Sequence, residues 1–171
     1  ATPFNPIGTI PQILQSANEA YEKATLIGSN EIFIEEHTTS ARAMEEWKEL
    51  IFDIVDNSKF NLKYIGNATT LNTSSNDIIM QEAFASIKDK DNLDIPIGTF
   101  VSIAERYGKI IDFDKKIITK VINNILINKI NHDISINLSI DSISNTGFIL
   151  WLEKTIDEHK AIAKQLVFSV T

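Results

Sequence analysis

The chain has 171 residues, 43% hydrophobic and 23% charged, which is enough for one domain with a substantial core or for parts of two. Its net charge of -7, with no Arg/Lys-rich stripe, excludes a protein that tracks a nucleic-acid backbone or sits on an anionic membrane surface. The absence of cysteine excludes disulfides, thiol nucleophiles and zinc-thiolate sites together.

In chain order, residues 9–27 predict an amphipathic helix. Ile10, Ile13, Leu14, Ala17, Ala20, Tyr21 and Ala24 recur at helical spacing, Thr9 is placed to cap its start, and Gly28 to end it. "EIFIEE" (31–36) alternates as a strand. A second helix is expected over 38–58, with Ser40 as its cap and a stripe through Met44, Trp47, Leu50, Ile51, Ile54 and Val55. Few turn residues interrupt it before Asn57, so it reads as a helical linker. No run reaches the length of a transmembrane helix, and residues 1–20 lack a charged-then-apolar signal pattern.

Beyond Asn57 strands alternate with helices. "FNLKYI" (60–65) is a short strand, 66–77 a polar loop, and "DIIMQEAF" (77–84) a second strand that carries one acid, Glu82, among apolar neighbours. A buried carboxylate there must find hydrogen bonds or a cation, or take up a proton. A helix near Thr99–Tyr107 is stopped by Gly108, and a long helix runs from a cap at Asp112 to about Ile130. In "ISINLS" (134–139), Ile134, Ile136 and Leu138 share one face while Ser135, Asn137 and Ser139 share the other. A helix over Asn145–His159 and the strand "LVFSV" (166–170) follow. Such alternation argues for parallel strands joined by crossover helices.

Few residues carry a chemical signal. His37, His132 and His159 lie far apart without ligand spacing and read as surface residues. "YGKI" lacks the upstream glycines and the following Ser/Thr of a phosphate loop and reads as a helix stop. The exception is the pair Glu82 and Asn137. Both are expected near the C-terminal ends of parallel strands, on the faces turned away from the helices, where an α/β barrel gathers its catalytic side chains. Their oxygens suit a hard divalent cation, and a purely structural, hydrogen-bonded role is the competing reading.

These strands carry a resemblance. Residues 59–171 resemble the first half of an EAL domain, the bacterial cyclic di-GMP phosphodiesterase fold: "FNLKYI" resembles its first strand and "QEAF" stands at the signature Glu-Ala-Leu. "PIGTFVSIAERYGKI" resembles the Pro-x-x-Phe and Ala-Glu-x-x-Gly stretch, with Pro96 one place early. "INLS" resembles the Asn-Leu-Ser strand and "LVFSVT" the fourth strand. Residues 1–37, with "ANEAYEKATLIGSNEIFI", resemble the tail of a GGDEF, or diguanylate-cyclase-like, domain. The fold implied is a partial (β/α) TIM-type barrel of about four parallel strands. A linker helix (38–58) and the helix-strand remnant of a GGDEF-like domain (1–37) precede it.

The resemblance also implies a site, and the departures from it bear on function. Glu82 and Asn137 align with family metal ligands. Ile65 stands where the family has Gln, Phe84 where it has the signature Leu, Ser86 where an Arg grips phosphate, and Ser169 where a Glu of the fourth strand binds metal. Loss of one carboxylate weakens a Mg²⁺ or Mn²⁺ site severely, so neither ion is expected unless the site is still competent. The implied function is a non-catalytic cytoplasmic signalling module, with cyclic di-GMP or another protein or domain as partner. An active metal-dependent phosphodiesterase is the alternative, and the parent chain could be membrane-anchored outside this segment. A fourth strand left open at Thr171 predicts either self-association there or a longer polypeptide that completes the barrel.

Overall fold

The computed structural model describes residues 10–28, 32–33, 44–69 and 77–170. Its elements, in chain order, are α1 (Ile10–Ile27), α2 (Met44–Asp56), β1 (Asn61–Thr69), β2 (Ile78–Lys88), β3 (Asp94–Ile95), α3 (Ile97–Arg106), α4 (Ile110–Asn128), β4 (Asp133–Leu138), α5 (Ile140–Ile143), α6 (Thr146–Glu158) and β5 (Leu166–Val170). Thr9, Ser40, His37, Asn57's upstream segment 38–43 and most of the strand expected over 31–36 lie outside the described residues. Ile32 and Phe33 belong to no regular element.

The sheet runs in the order β1-β2-β4-β5, with β3 paired to the far end of β2. β2, β4 and β5 are parallel, and the connections between them pass through helices. This is the α/β layering of a partial barrel. One expectation is corrected, because β1 pairs antiparallel with β2 rather than joining four parallel strands. The link from Thr69 to Ile78 is too short for the crossover of a dozen or more residues that a parallel pair requires, so the two strands meet as a hairpin. β1 also runs past Ile65 to Thr69, into residues expected to be loop. Its register shifts between Ile65 and Ala68, and Gly66 there adopts φ +69°, a left-handed conformation that glycine adopts without penalty.

Parity divides the sheet. Ala83, Ala85 and Ile87 of β2 and Ile134, Ile136 and Leu138 of β4 are buried on the helix side. Against them pack Phe100 of α3, Phe113, Ile118, Val121, Ile122 and Ile125 of α4, and Phe148 of α6. Phe113 is the centre of an aromatic cluster, 4.9 Å from the rings of both Phe60 and Phe100. The predicted stripe of α2 enters this same core, with Ile51, Ile54 and Val55 all at most 2% exposed. α2 is therefore packed as part of the sheet's own hydrophobic layer.

Helix ends follow local chemistry with small offsets from expectation. α3 starts directly after Pro96, which cannot continue a preceding ladder, and ends before Gly108, whose φ of +66° lets Lys109 N donate back to Ala104 O at 2.7 Å. α4 begins at Ile110, two residues before the expected cap. Asp112 lies in its first turn, where a negative charge favours the helix dipole, and Lys109 holds the N-cap position. Asn145 caps α6 by accepting from Phe148 N at 2.9 Å. His132 and His159, expected at the surface, are half-buried. His132 Nε2 meets Gln81 Oε1 and His159 Nδ1 meets Thr155 O, both at 2.8 Å.

Candidate functional site

The face of the sheet turned away from the helices carries the predicted residues. Register places Ile65 opposite Glu82 across β1 and β2, Glu82 beside Ser135 across β2 and β4, and Asn137 beside Ser169 across β4 and β5. Directly paired residues share a face, so Ile65, Glu82, Asn137 and Ser169 all lie on one side, with the Ile65–Glu82 pair in line with Ser135 and the Asn137–Ser169 pair two residues further along β4 and β5. Phe84 and Ser86 follow Glu82 on the same face, farther along β2. The structure thus brings all six sequence-predicted residues to one side. The setting of Glu82 differs from expectation, for this side of β2 is not a buried strand: Met80 and Phe84 are 38% and 37% exposed.

Glu82 is half-buried and its need for hydrogen bonds is met by the protein. Asn137 Nδ2 donates to Glu82 Oε1 at 2.6 Å. The Ser169 hydroxyl in turn donates to Asn137 Oδ1. The opposite orientation of the amide would set Asn137 Oδ1 against the Glu82 carboxylate, so the chain of donors has one favourable direction, Ser169 to Asn137 to Glu82.

These residues do not by themselves fit a divalent cation. The donor set is one carboxylate, one amide oxygen and one hydroxyl, a single negative charge where a hard cation takes six or more oxygens. The amide oxygen that would turn to an ion accepts from Ser169, and the amide nitrogen faces the carboxylate. Among the described residues no group of three or more His, Cys, Asp or Glu side chains is close enough to hold a metal ion.

A second polar group lies on the other side of β4 and was not anticipated. Asp114, 3% exposed on the buried stripe of α4, accepts three hydrogen bonds at Oδ2: from Ser139 N at 3.0 Å, Ser139 Oγ at 2.8 Å and Ser142 Oγ at 2.7 Å. Burial pushes its carboxyl above the ordinary aspartate range, against the lowering effect of the serine donors. The network ties α4 to the turn between β4 and α5, directly after Asn137. A cleft of about 120 Å³ opens beside it, lined by Phe84, Glu105, Phe113, Asp114, Asn137 and Ser139 among others. Glu105 is also held above its usual value, first by burial and then by the charges of Asp141 and Asp114. One sequence signal could have found Asp114, because an acid within the apolar spacing Ile110, Phe113, Ile117, Ile118 must be buried with its partners.

A partial α/β barrel with Glu82 in the middle of β2 hydrogen-bonded to Asn137 near the end of the adjacent parallel strand β4 defines the class of the fold: an α/β half-barrel with a polar pair on its inner face. Residues 68–171, well over half of the chain, match the EAL domain family, and the chain belongs to that family. The fold is similar to that of Vibrio cholerae LapD S helix-GGDEF-EAL bound to c-di-GMP, at 22% identity and a TM-score of 0.73, covering 99% of this chain and 41% of that one. It is similar to the FimX EAL domain from Pseudomonas aeruginosa bound to c-di-GMP, at 18% identity and a TM-score of 0.59, over 73% of this chain and 50% of that one. It also resembles the PaMucR phosphodiesterase in its c-di-GMP complex, at 16% identity and a TM-score of 0.61, over 72% and 50% of the two chains. At these identities the likeness is one of fold, and this chain spans half or less of those structures. No curated protein matches the chain. Among the described residues no helix is long and apolar enough to cross a membrane.

Proposed function

We propose that the chain is part of a catalytically inactive GGDEF-EAL-type module in cyclic di-GMP regulation, one that acts through protein interaction or binds the dinucleotide without cutting it. In this reading residues 1–37 are the C-terminal part of a GGDEF-like domain, 38–58 the linker helix and 59–171 the first half of the EAL barrel, all in the cytoplasm. The observation that carries it is Ser169. It stands where a metal-binding Glu is expected, and its hydroxyl is spent on Asn137 Oδ1. Ser86 and Ile65 support the same reading, since they replace a phosphate-gripping guanidinium and a polar nucleotide contact with groups that offer neither. The capture of c-di-GMP in the LapD and FimX structures supports the dinucleotide as candidate ligand.

The test is an assay of the intact polypeptide with cyclic di-GMP and Mg²⁺ or Mn²⁺, paired with a calorimetric titration of the dinucleotide. No linear product is expected at any metal concentration, and the titration separates a receptor from a pure interaction module. Metal-dependent turnover that disappears in Glu82→Gln would establish the phosphodiesterase alternative instead.

A further inference from the structure

We infer that Ser169 takes the place of a cation in this pocket, so that the Glu82-Asn137 pair is held in position by a hydroxyl and the pocket is independent of divalent metal. The inference rests on the inactive reading above and deepens it at the level of atoms. In a pocket built around an ion, Glu82 and Asn137 would both turn oxygen lone pairs toward one positive centre. Here the two side chains face each other as acceptor and donor, with Asn137 Nδ2 2.6 Å from Glu82 Oε1. That leaves Asn137 Oδ1 on the far side, and the Ser169 hydroxyl supplies the proton that a half-buried amide oxygen needs.

The register makes this substitution possible. Asn137 and Ser169 are direct partners on adjacent parallel strands, so a side chain of two heavy atoms at Ser169 reaches the amide without bending either strand. A carboxylate at the same place would set its oxygens against Asn137 Oδ1 and beside Glu82, a like-charge arrangement that needs a cation between them. Seating an ion in the pocket as it stands would break both hydrogen bonds and offer the ion only one charge in return. Ser169 therefore stabilises the closed pair and disfavours the ion, two consequences of one hydroxyl.

The experiment titrates Mn²⁺ alone into the intact polypeptide and into its Ser169→Ala, Ser169→Thr, Ser169→Glu and Glu82→Gln variants, with the thermal midpoint of each followed in parallel. The parent is expected to give the same Mn²⁺ isotherm as Glu82→Gln and a midpoint that does not move with Mn²⁺. Ser169→Ala should lower the midpoint by about 2–4 °C, the shift of one lost hydrogen bond in a chain of this size, and Ser169→Thr should restore it. Ser169→Glu should add a Mn²⁺ site that Glu82→Gln abolishes in the double variant. Mn²⁺ binding by the parent that depends on Glu82 would overturn the inference, as would an unchanged midpoint in Ser169→Ala. Should Ser169→Glu fail to fold, the alanine-threonine pair and the parent's isotherm still decide the matter. Failure here without turnover of cyclic di-GMP leaves the inactive reading standing, so the two can be told apart.

Discussion

At the scale of single residues, the carboxylates of Glu82 and Asp114 show opposite solutions to the cost of burial. Glu82 is satisfied on an open face by one amide, whose far end is satisfied by Ser169. Asp114 is sealed in the core and collects three donors on one oxygen, yet burial still outweighs them and raises its proton affinity. A carboxyl that holds its proton more tightly folded than unfolded contributes stability at low pH. That contribution is lost as the pH rises from the unfolded value through the higher folded one. Asp114→Asn retains an acceptor for the serines and cannot ionise. The stability of Asp114→Asn minus that of the parent is therefore expected to grow as pH rises from 4 to 8, read by denaturant unfolding at each pH. A difference that shrinks with pH would contradict the sign. Asp114→Ala, which strands the donors of Ser139 and Ser142, should cost about 1–3 kcal/mol at low pH and less as the pH rises, since it too cannot ionise.

At the scale of elements, α2 is the instructive case. Its spacing from Met44 to Val55 reads as a helix with one apolar face. The structure buries Ile51, Ile54 and Val55 of that face in the core of the sheet and adds a polar clasp from the α3–α4 corner. Lys109 Nζ lies 2.7 Å from Asp56 Oδ1, 3.4 Å from Asp112 Oδ2 and 4.6 Å from the centre of the Phe52 ring, with only 16% of its side chain exposed. The Asp56 carboxylate is the main reason that the Lys109 ammonium is held above its ordinary range. Lys109→Met, which keeps the aliphatic stem and removes the charge, is expected to lower stability by about 1 kcal/mol and to speed amide exchange in α2 ahead of the other helices. Exchange in α2 that stays unchanged would mean that the apolar stripe alone holds it. Any signal passed along this helix must then move it together with the sheet, since the two share one packed layer.

At the scale of the whole molecule, the sheet is open on both of its outer strands among the described residues. β5 pairs only with β4 and β1 only with β2. Ile65 is 45% exposed on the face that an EAL barrel would enclose, beside the partly exposed Met80 and Phe84, and Val170 is 54% exposed on the β5 edge. Unpaired strand edges beside apolar surface pair with other chains, and Lys164 is the one charged residue close to β5 in sequence. The 171 residues by themselves are therefore expected to scatter light with a mass above 19.2 kDa and to bind an apolar dye. A polypeptide that also supplies the strands beyond β5 should lose both properties. A dye-silent monomer of the 171 residues would defeat the prediction.

Much of this was legible in the residues. Period-two alternation in "ISINLS" and 3.6-period stripes in α2, α4 and α6 follow from backbone geometry alone, so the elements and the shared face of Glu82, Asn137 and Ser169 could be assigned before any coordinates. Family resemblance placed the strands in order. What the residues did not reveal depends on separations that no local pattern encodes. The direction of β1 is decided by a connection too short to cross over, the docking of α2 by an ion pair that spans 53 residues, and the Asp114 cluster by bonds that close over 25 and 28. Likewise, family resemblance aligned Ser169 with a Glu expected to bind metal, but only the pairing of β4 with β5 shows that its hydroxyl lands on Asn137. Local geometry dictates which way a side chain points; only tertiary packing decides what it meets.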